Sequence, residues 1–216
     1  MSKSLFDQTY EARDELYATF GEMDPDVISH VINPAFMGGP AWPAMRQAWR
    51  VIRNEGHTII ASDGLSDPFD NEEDTNAGFG IEILAETSDK VDDIASSWLF
   101  KMVYEVSQQA AAHGGLKQLV DDLEFLSMEI EGKTGLEHLE NEHGRIGVYM
   151  GALHPQMPKE IDLPGGSATL ITVKLLTLPE LEYILQNGEK GRAELNRRFE
   201  EQGTYHVSST ERASVV

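Results

Sequence analysis

The residues best suited to chemistry form an acidic loop in the first third of the chain. Hard cations such as Ca²⁺ bind several oxygen ligands, and an EF-hand loop supplies them at alternate positions. Such a loop starting at Asp63 needs glycine at its sixth position and glutamate at its twelfth, where this sequence has Pro68 and Asp74. We therefore predict no metal site and no cofactor, and expect a solvated loop whose aspartates cap turns. Six carboxylates lie in the loop: Asp63, Asp67, Asp70, Glu72, Glu73 and Asp74.

The spacing of the serines and histidines gives little support for nucleophilic catalysis. The chain contains no cysteine, and Ser66 does not lie in a G-x-S-x-G sequence. The seven histidines are dispersed, and His57 fits a hydrogen-bonded residue of a sheet better than a catalytic base. We recognise no catalytic constellation and predict that the protein is not an enzyme. A hydrolytic or metal-dependent enzyme that uses the loop 63–74 and His57 remains the alternative hypothesis.

The charge balance bears on the partners the protein can have. There are 37 acidic and 17 basic residues, which give a net charge of −20. A field of this sign repels nucleic acid and anionic membranes and attracts a basic protein. No apolar run is long enough to span a bilayer, and the charged N-terminus does not resemble a signal peptide. Together with the absence of cysteine, these features favour a cytoplasmic location.

Hydrophobic periodicity predicts an α+β fold, in which helices pack against a mixed, mostly antiparallel β-sheet in a single domain. We expect this domain to cover residues 1–203 and residues 204–216 to form a disordered tail. A loop rich in glycine and proline, residues 33–43, carries Phe36, Met37 and Trp42 and is a candidate binding loop. The predicted helices are residues 5–21, 88–113, 177–186 and 189–201, and the predicted strands are residues 50–53, 57–61, 79–85, 146–153 and 168–176, with residues 116–132 either a helix or a helix followed by a strand.

Two short motifs resemble the suppressor-of-fused domain family. The family pattern is a strand with a histidine, then G-L-S-D, a polar loop, and G-[FL]-G-[FI]-E at the start of another strand. A helix bearing a tryptophan follows in the family, as Trp98 does here, and the resemblance extends over residues 41–203. The residues that match the two motifs are His57, then Gly64, Leu65, Ser66 and Asp67, and then Gly78, Phe79, Gly80, Ile81 and Glu82.

The resemblance implies a non-enzymatic module that binds a protein or peptide. The family's bacterial single-domain members suggest an immunity protein that neutralises a toxin, and the acidic charge of this chain suits a basic toxin. The sequence indicates no oligomeric state. A third hypothesis is that the motif residues only hold the fold, in which case Asp67→Ala costs about 1 kcal/mol as a lost cap and leaves partner affinity unchanged. The residues expected to contact a partner are Asp63, Asp67, Asp70, Phe36, Trp42 and Phe79.

Overall fold

A mixed β-sheet with helices on its faces forms the framework of the computed structural model, which describes residues 3–69 and 75–216. Within these residues the chain forms four α-helices, ten strands and two short 3-10 helices, Pro34–Met37 and Glu137–Leu139. The last α-helix is kinked at Gly188, whose φ of 57° and ψ of −133° are not helical, so the predicted helices 177–186 and 189–201 lie on the two sides of this kink. The helices and strands follow the order α1 (Leu5–Ala18), β1 (Glu22–Met23), β2 (Ile28–Ser29), β3 (Ala48–Asn54), β4 (His57–Ser62), β5 (Ile81–Thr87), α2 (Trp98–His113), α3 (Leu116–Leu123), β6 (Leu126–Glu131), β7 (Arg145–Met150), β8 (Glu160–Leu163), β9 (Gly166–Leu175), α4 (Leu178–Glu201) and β10 (Val207–Ser208).

The strands pair in the order β1-β3-β4-β5-β9-β7-β6, while β2 also pairs with β3, β8 with β9, and β10 with β5. In the described part of the chain, β5 is parallel to β9 and to β10, and the other pairs are antiparallel. The prediction of an α+β fold with a mixed, mostly antiparallel sheet is therefore confirmed.

Both faces of the central strands are buried, and side chains alternate between them as the pleat requires. Ile60 and Ile83 belong to a core cluster with Val103 of α2, whereas Ile59 and Leu84 belong to a second cluster with residues of α1. A third cluster packs α4 against the end of β7. The helices α1 and α2 consequently bury opposite faces of the same strands.

Local sequence signals account for several element boundaries. The predicted hairpin joins β3 to β4 through Glu55 and Gly56, whose φ angles of 44° and 90° give the left-handed turn that matches sheet twist. Ser4 accepts the predicted N-cap hydrogen bond of α1 from the Asp7 amide. The second helix begins at Trp98 rather than at residue 88, because the Ser97 hydroxyl caps it by accepting from the Phe100 amide.

The C-terminal segment differs from the expected disordered tail. In the structure, β10 adds to β5, and the Arg212 guanidinium donates to Glu180 Oε1 at 2.6 Å. Asp89 accepts from the Ser209 hydroxyl at 2.6 Å and from the Thr210 amide at 2.8 Å. These contacts are polar and fall on single residues, so hydrophobic periodicity does not reveal them.

Candidate functional site

An arginine lies fully buried on the inner face of α1. The buried residues of this helix are Thr9, Arg13 and Tyr17, spaced four apart so that they share one face. The Arg13 side chain has no exposed surface. Since a buried charge is stable only when it is paired and hydrogen-bonded, its partners define the interior of this region.

Arg13 is the centre of a cluster built from both sequence motifs. Its Nε donates to Asp63 Oδ1 at 2.7 Å, and its Nη2 donates to Asp67 Oδ1 at 2.7 Å. Its Nη1 donates to the Ser66 hydroxyl at 2.9 Å and lies 3.3 Å from Glu82 Oε1. All three carboxylate side chains are fully buried. We call Arg13, Asp63, Ser66, Asp67 and Glu82 the buried charge cluster.

Glu82 fixes the shape of the turn that carries G-L-S-D. Its Oε1 accepts from the amides of Gly64 and Ser66 at 3.2 and 3.0 Å and from the Ser66 hydroxyl at 2.6 Å. Its Oε2 accepts from the Ser62 hydroxyl. A single carboxylate on β5 therefore satisfies donors of the turn that would otherwise be buried without partners.

Two more arginines cover the outer side of the buried charge cluster. Arg46 donates to the Asp63 backbone oxygen at 2.6 Å and to its Oδ2, and its guanidinium lies 5.0 Å from the centre of the Tyr10 ring. Arg50 pairs with Asp14 at 2.7 Å, and its Nε lies 3.3 Å from Asp63 Oδ2. The carboxylate of Asp63 is thus surrounded by guanidinium groups.

These contacts shift the pKa values within the cluster. Burial alone lowers the pKa of Arg13, but Glu82, Asp63 and Asp67 outweigh it and the pKa of Arg13 is raised. Burial alone raises the pKa of Asp63, but Arg13 and Arg46 outweigh it and this pKa is lowered. The pKa of Glu82 is raised, because its complete burial outweighs Arg13 and the serine hydrogen bonds. The negative charge of Asp63 is therefore compensated inside the protein.

Gly78 has both a left-handed backbone and no room for a side chain. Its φ is +56°, and a Cβ would lie 2.3 Å from the backbone oxygen of Asp67 and 2.7 Å from that of Leu65. We expect Gly78→Ala to lower the free energy of unfolding by about 3 kcal/mol, through backbone strain and overlap with main-chain atoms. Urea denaturation measures this loss.

Gly56→Ala is the matched control for Gly78→Ala. Gly56 also has a positive φ, +90°, but a Cβ there would meet no atom within 4 Å. We expect this variant to lose only about 1 kcal/mol, from strain alone. Equal losses in the two variants would show that the close approach at Gly78 contributes nothing.

His57 lies far from the buried charge cluster. It begins β4 and Asp63 follows the last residue of that strand, so the two are roughly 20 Å apart along an extended chain. His57 Nδ1 instead contacts Glu86 Oε1 at 2.5 Å, and His206 Nε2 contacts Glu86 Oε2 at 2.9 Å. Burial raises the pKa of Glu86, but the hydrogen bonds from the two histidines lower it by more. Of the carboxylates that the enzyme hypothesis pairs with His57, the two that the structure describes, Asp63 and Asp67, lie in the buried charge cluster and not beside His57.

The other residues expected to contact a partner occupy different environments. Phe36 is 76% exposed, whereas Trp42 is only 2% exposed and packs against Trp49 with ring centres 5.3 Å apart. Phe79 packs edge-to-face on Phe69. Asp70 lies outside the described residues, as do Glu72, Glu73 and Asp74. Among the residues that are described, no group of three histidines, aspartates or glutamates is arranged to hold a metal ion.

The remaining motif glycines and Leu65 are closely packed. A Cβ on Gly64 would lie 2.6 Å from the Arg46 backbone oxygen, and a Cβ on Gly80 would lie 3.0 Å from Lys117 Cδ. Leu65 is fully buried in the core cluster that contains Trp42. These residues contribute to packing rather than to an exposed surface.

Sequence reasoning missed Arg13, Arg46 and Arg50, the cations that organise the site. One signal was present for Arg13, which lies four residues from both Thr9 and Tyr17 on one face of α1. Its partners lie about fifty residues away in the chain, so only the fold shows which carboxylates it meets.

The fold is that of suppressor of fused. A solved structure of the Sufu–Fu complex matches with a TM-score of 0.54 and 14% sequence identity, over 97% of this chain and 91% of that chain. The crystal structure of Drosophila Suppressor of Fused matches with a TM-score of 0.56 and 13% identity, over 97% of this chain and 50% of the Drosophila chain. No protein-family model and no curated protein matches the sequence. The resemblance carried by the two motifs is thus confirmed at the level of the fold.

Proposed function

We propose that this protein is a non-enzymatic protein-interaction module whose contact surface is an exposed apolar patch between β2 and β3. Five large apolar side chains of this segment are exposed, and Val31, Phe36 and Met37 are 102%, 76% and 79% accessible. Exposed apolar clusters of this kind mark interaction sites on soluble proteins. We call the following residues the apolar loop patch: Val31, Ile32, Phe36, Met37 and Met45.

The segment that carries the apolar loop patch is held in a defined shape. Asn33 caps the short helix Pro34–Met37 by accepting from the Ala35 amide at 2.9 Å, and Gly38 ends it in a left-handed conformation. The Gln47 side chain donates to the Pro40 backbone oxygen at 2.8 Å. A surface ordered before binding loses less conformational entropy when a partner docks, which supports a role in recognition.

The net charge of the chain supports a basic protein partner. The segment 27–54 contains no aspartate or glutamate, although the chain has 37 acidic residues. A partner could therefore bury the apolar loop patch without desolvating carboxylates of that segment, while the net charge of −20 steers a basic surface toward the protein. A basic toxin neutralised by an immunity protein is the most specific form of this proposal, and the net charge is the observation that favours it.

The fold adds independent support for a protein partner. One of the matching structures is a complex of Sufu with Fu, and we extend from that protein only the general property of binding another protein. In this proposal Asp63 and Asp67 stabilise the fold and do not contact the partner, because their carboxylates are fully buried. Nucleic acid and membranes are not proposed as partners, and no helix of the described residues is long and apolar enough to cross a membrane.

Affinity capture from the native host tests the proposal with the double variant Phe36→Ser and Met37→Ser. Both side chains are exposed, so we expect the fold to persist and the captured partner to be lost. Leu185→Ser is the matched control, since Leu185 is 64% exposed on α4, and it should retain the partner. Capture by the double variant at the level of the unmodified protein would overturn the assignment of the surface.

A further inference from the structure

A cavity of about 490 Å³ opens beside β9, at the place where β7 and β8 separate from each other. The end of α3, the segment that follows β7 and the first residue of β8 line it, together with residues 169–172 of β9. Small-molecule sites have volumes of about 300–1,000 Å³, so the cavity has the size of a ligand site. None of its lining residues belongs to the apolar loop patch.

The edge of β9 beside this cavity carries two main-chain groups without partners. The Leu170 amide donates to the Lys159 oxygen at 2.7 Å, and the Thr172 oxygen accepts from the Gly151 amide at 3.2 Å. Since the N–H and C=O groups of one strand residue point to the same side, the Leu170 oxygen and the Thr172 amide also point to this side. Neither has a hydrogen-bond partner in the described part of the chain. Because Leu170 and Thr172 both line the cavity, it offers a ligand one free acceptor and one free donor.

The open stretch of β9 is short. The strand β8 pairs with β9 at residues 166–169, and β7 pairs with β9 at residues 173–175, so residues 170–172 lie open between them. An additional strand does not fit in this gap, whereas one group of the size of an amino acid does. The N–H and C=O of a single extended residue match the Leu170 oxygen and the Thr172 amide, as in a parallel ladder.

The charged side chains of the cavity favour a cationic ligand. The charged residues that line it are Asp121, Asp122, Glu124, Glu160 and Lys159. Asp121 is paired with Lys117 at 2.9 Å, whereas Glu124 and Glu160 form no ion pair within the residues that the structure describes. Even with Lys117 counted, the four carboxylates outnumber the lysines by two. A positively charged ligand is therefore the complementary one.

Glu124 is held at the cavity in a strained turn. Its φ of 60° and ψ of −52° are those of a γ-turn with positive φ, in which the Phe125 amide donates to the Leu123 oxygen at 2.6 Å. Gly151 packs against this turn so closely that a Cβ there would lie 2.6 Å from the Glu124 backbone oxygen. Strained residues of this kind concentrate at ligand sites, which supports a binding role for the Glu124 carboxylate.

We propose that this cavity binds a small cationic amide of the size of one amino acid. The ligand N–H donates to the Leu170 oxygen, and the ligand C=O accepts from the Thr172 amide. The ligand cation lies near the carboxylates of Glu124 and Glu160. An acylated lysine or arginine amide has these three features. This site is independent of the apolar loop patch.

Titrations followed by amide chemical shifts test the proposal with three probes: N-acetyl-lysine amide, N-acetyl-norleucine amide, which lacks the cation, and cadaverine, which lacks the amide. We expect the first to bind at least about tenfold more tightly than either of the others, with shifts at Leu170 and Thr172. Equal binding of either control probe, or failure of N-acetyl-lysine amide to bind, would overturn the proposal. Tighter binding of the same lysine within an acetylated Gly-Gly-Lys-Gly-Gly would overturn the assignment to a small molecule.

Variants and hydrogen exchange locate the bound probe. Glu124 and Glu160 are exposed, so the double variant Glu124→Gln and Glu160→Gln should fold and should bind N-acetyl-lysine amide about tenfold or more weakly. Glu182→Gln, at an exposed glutamate of α4, should bind it normally. The probe should slow exchange of the Thr172 amide more than that of the Leu170 amide, which already has a partner. An unchanged affinity in the double variant, or equal slowing at Thr172 and Leu170, would contradict the assignment.

Discussion

Replacing Arg13 by methionine is expected to lower the free energy of unfolding by about 3–5 kcal/mol, because it removes the buried guanidinium that contacts Asp63, Asp67 and Glu82 at once, while Arg46 and Arg50 still pair with Asp63. Asp63, Asp67 and Glu82 each lose a direct partner, and all three side chains are inaccessible to solvent. Methionine has a similar volume, so the loss reports the charge rather than a cavity. Urea denaturation near pH 7 measures it.

Two further variants make the Arg13 result specific. Arg197→Met removes a cation that is 54% exposed and paired on the surface of α4, and it should leave the denaturation midpoint nearly unchanged. Combining Arg13→Met with Glu82→Gln should recover part of the loss, since the two residues are coupled. A loss below about 1 kcal/mol in Arg13→Met would contradict the view that this cluster organises the fold.

Lys174 should make the free energy of unfolding rise with pH above about pH 7, because the folded protein disfavours the charged form of this lysine. Its side chain is fully buried, donates to the Val207 backbone oxygen and lies 4.7 Å from the centre of the Phe199 ring. Burial lowers its pKa from 10.5 to about 7, with a further lowering by Arg212 that Glu180 partly offsets. The folded protein thus releases this proton more readily than the unfolded chain does.

The pH window for Lys174 follows from linkage. Below pH 7 the lysine is charged in both states and its burial is fully destabilising, and above pH 10.5 it is neutral in both and the penalty is gone. The free energy of unfolding of the unmodified protein should therefore rise relative to that of Lys174→Met by about 3 kcal/mol between pH 7 and roughly pH 9.5. Lys90→Met, at a lysine that is 83% exposed, should show no such trend. Parallel pH profiles for Lys174→Met and the unmodified protein would rule out a lowered pKa.

Local patterns were enough to predict the elements that depend on neighbours in sequence. The turn at Asn54, Glu55 and Gly56, the cap at Ser4 and the apolar stripe of α2 all lie within a few residues of what they determine. By contrast, β8 and β10 have only four and two residues, too few for a period to be recognised. Their positions depend on pairing with β9 and β5, which only the assembled sheet supplies.

In the candidate site, too, the sequence predicted the features that depend on neighbouring residues and not the contacts between distant ones. The two motifs correctly marked a turn and a strand start, and Glu82 joins them through three hydrogen bonds to Gly64 and Ser66. Their aspartates looked like surface groups because the sequence does not show that Arg13 reaches them from a helix about fifty residues earlier. Apolar side chains that remain exposed, such as Phe36 and Met37, cannot be distinguished from core residues by hydrophobicity alone.

The affinity of the captured partner for two variants, Phe36→Ser with Met37→Ser and Asp67→Asn, tests the central claim most directly. If the apolar loop patch binds the partner and the buried charge cluster only holds the fold, the first variant should lose about 30-fold or more in affinity at unchanged stability. Asp67→Asn should lose stability while its folded fraction binds normally. The opposite pattern, in which Asp67→Asn abolishes binding and the double variant binds like the unmodified protein, would contradict the account.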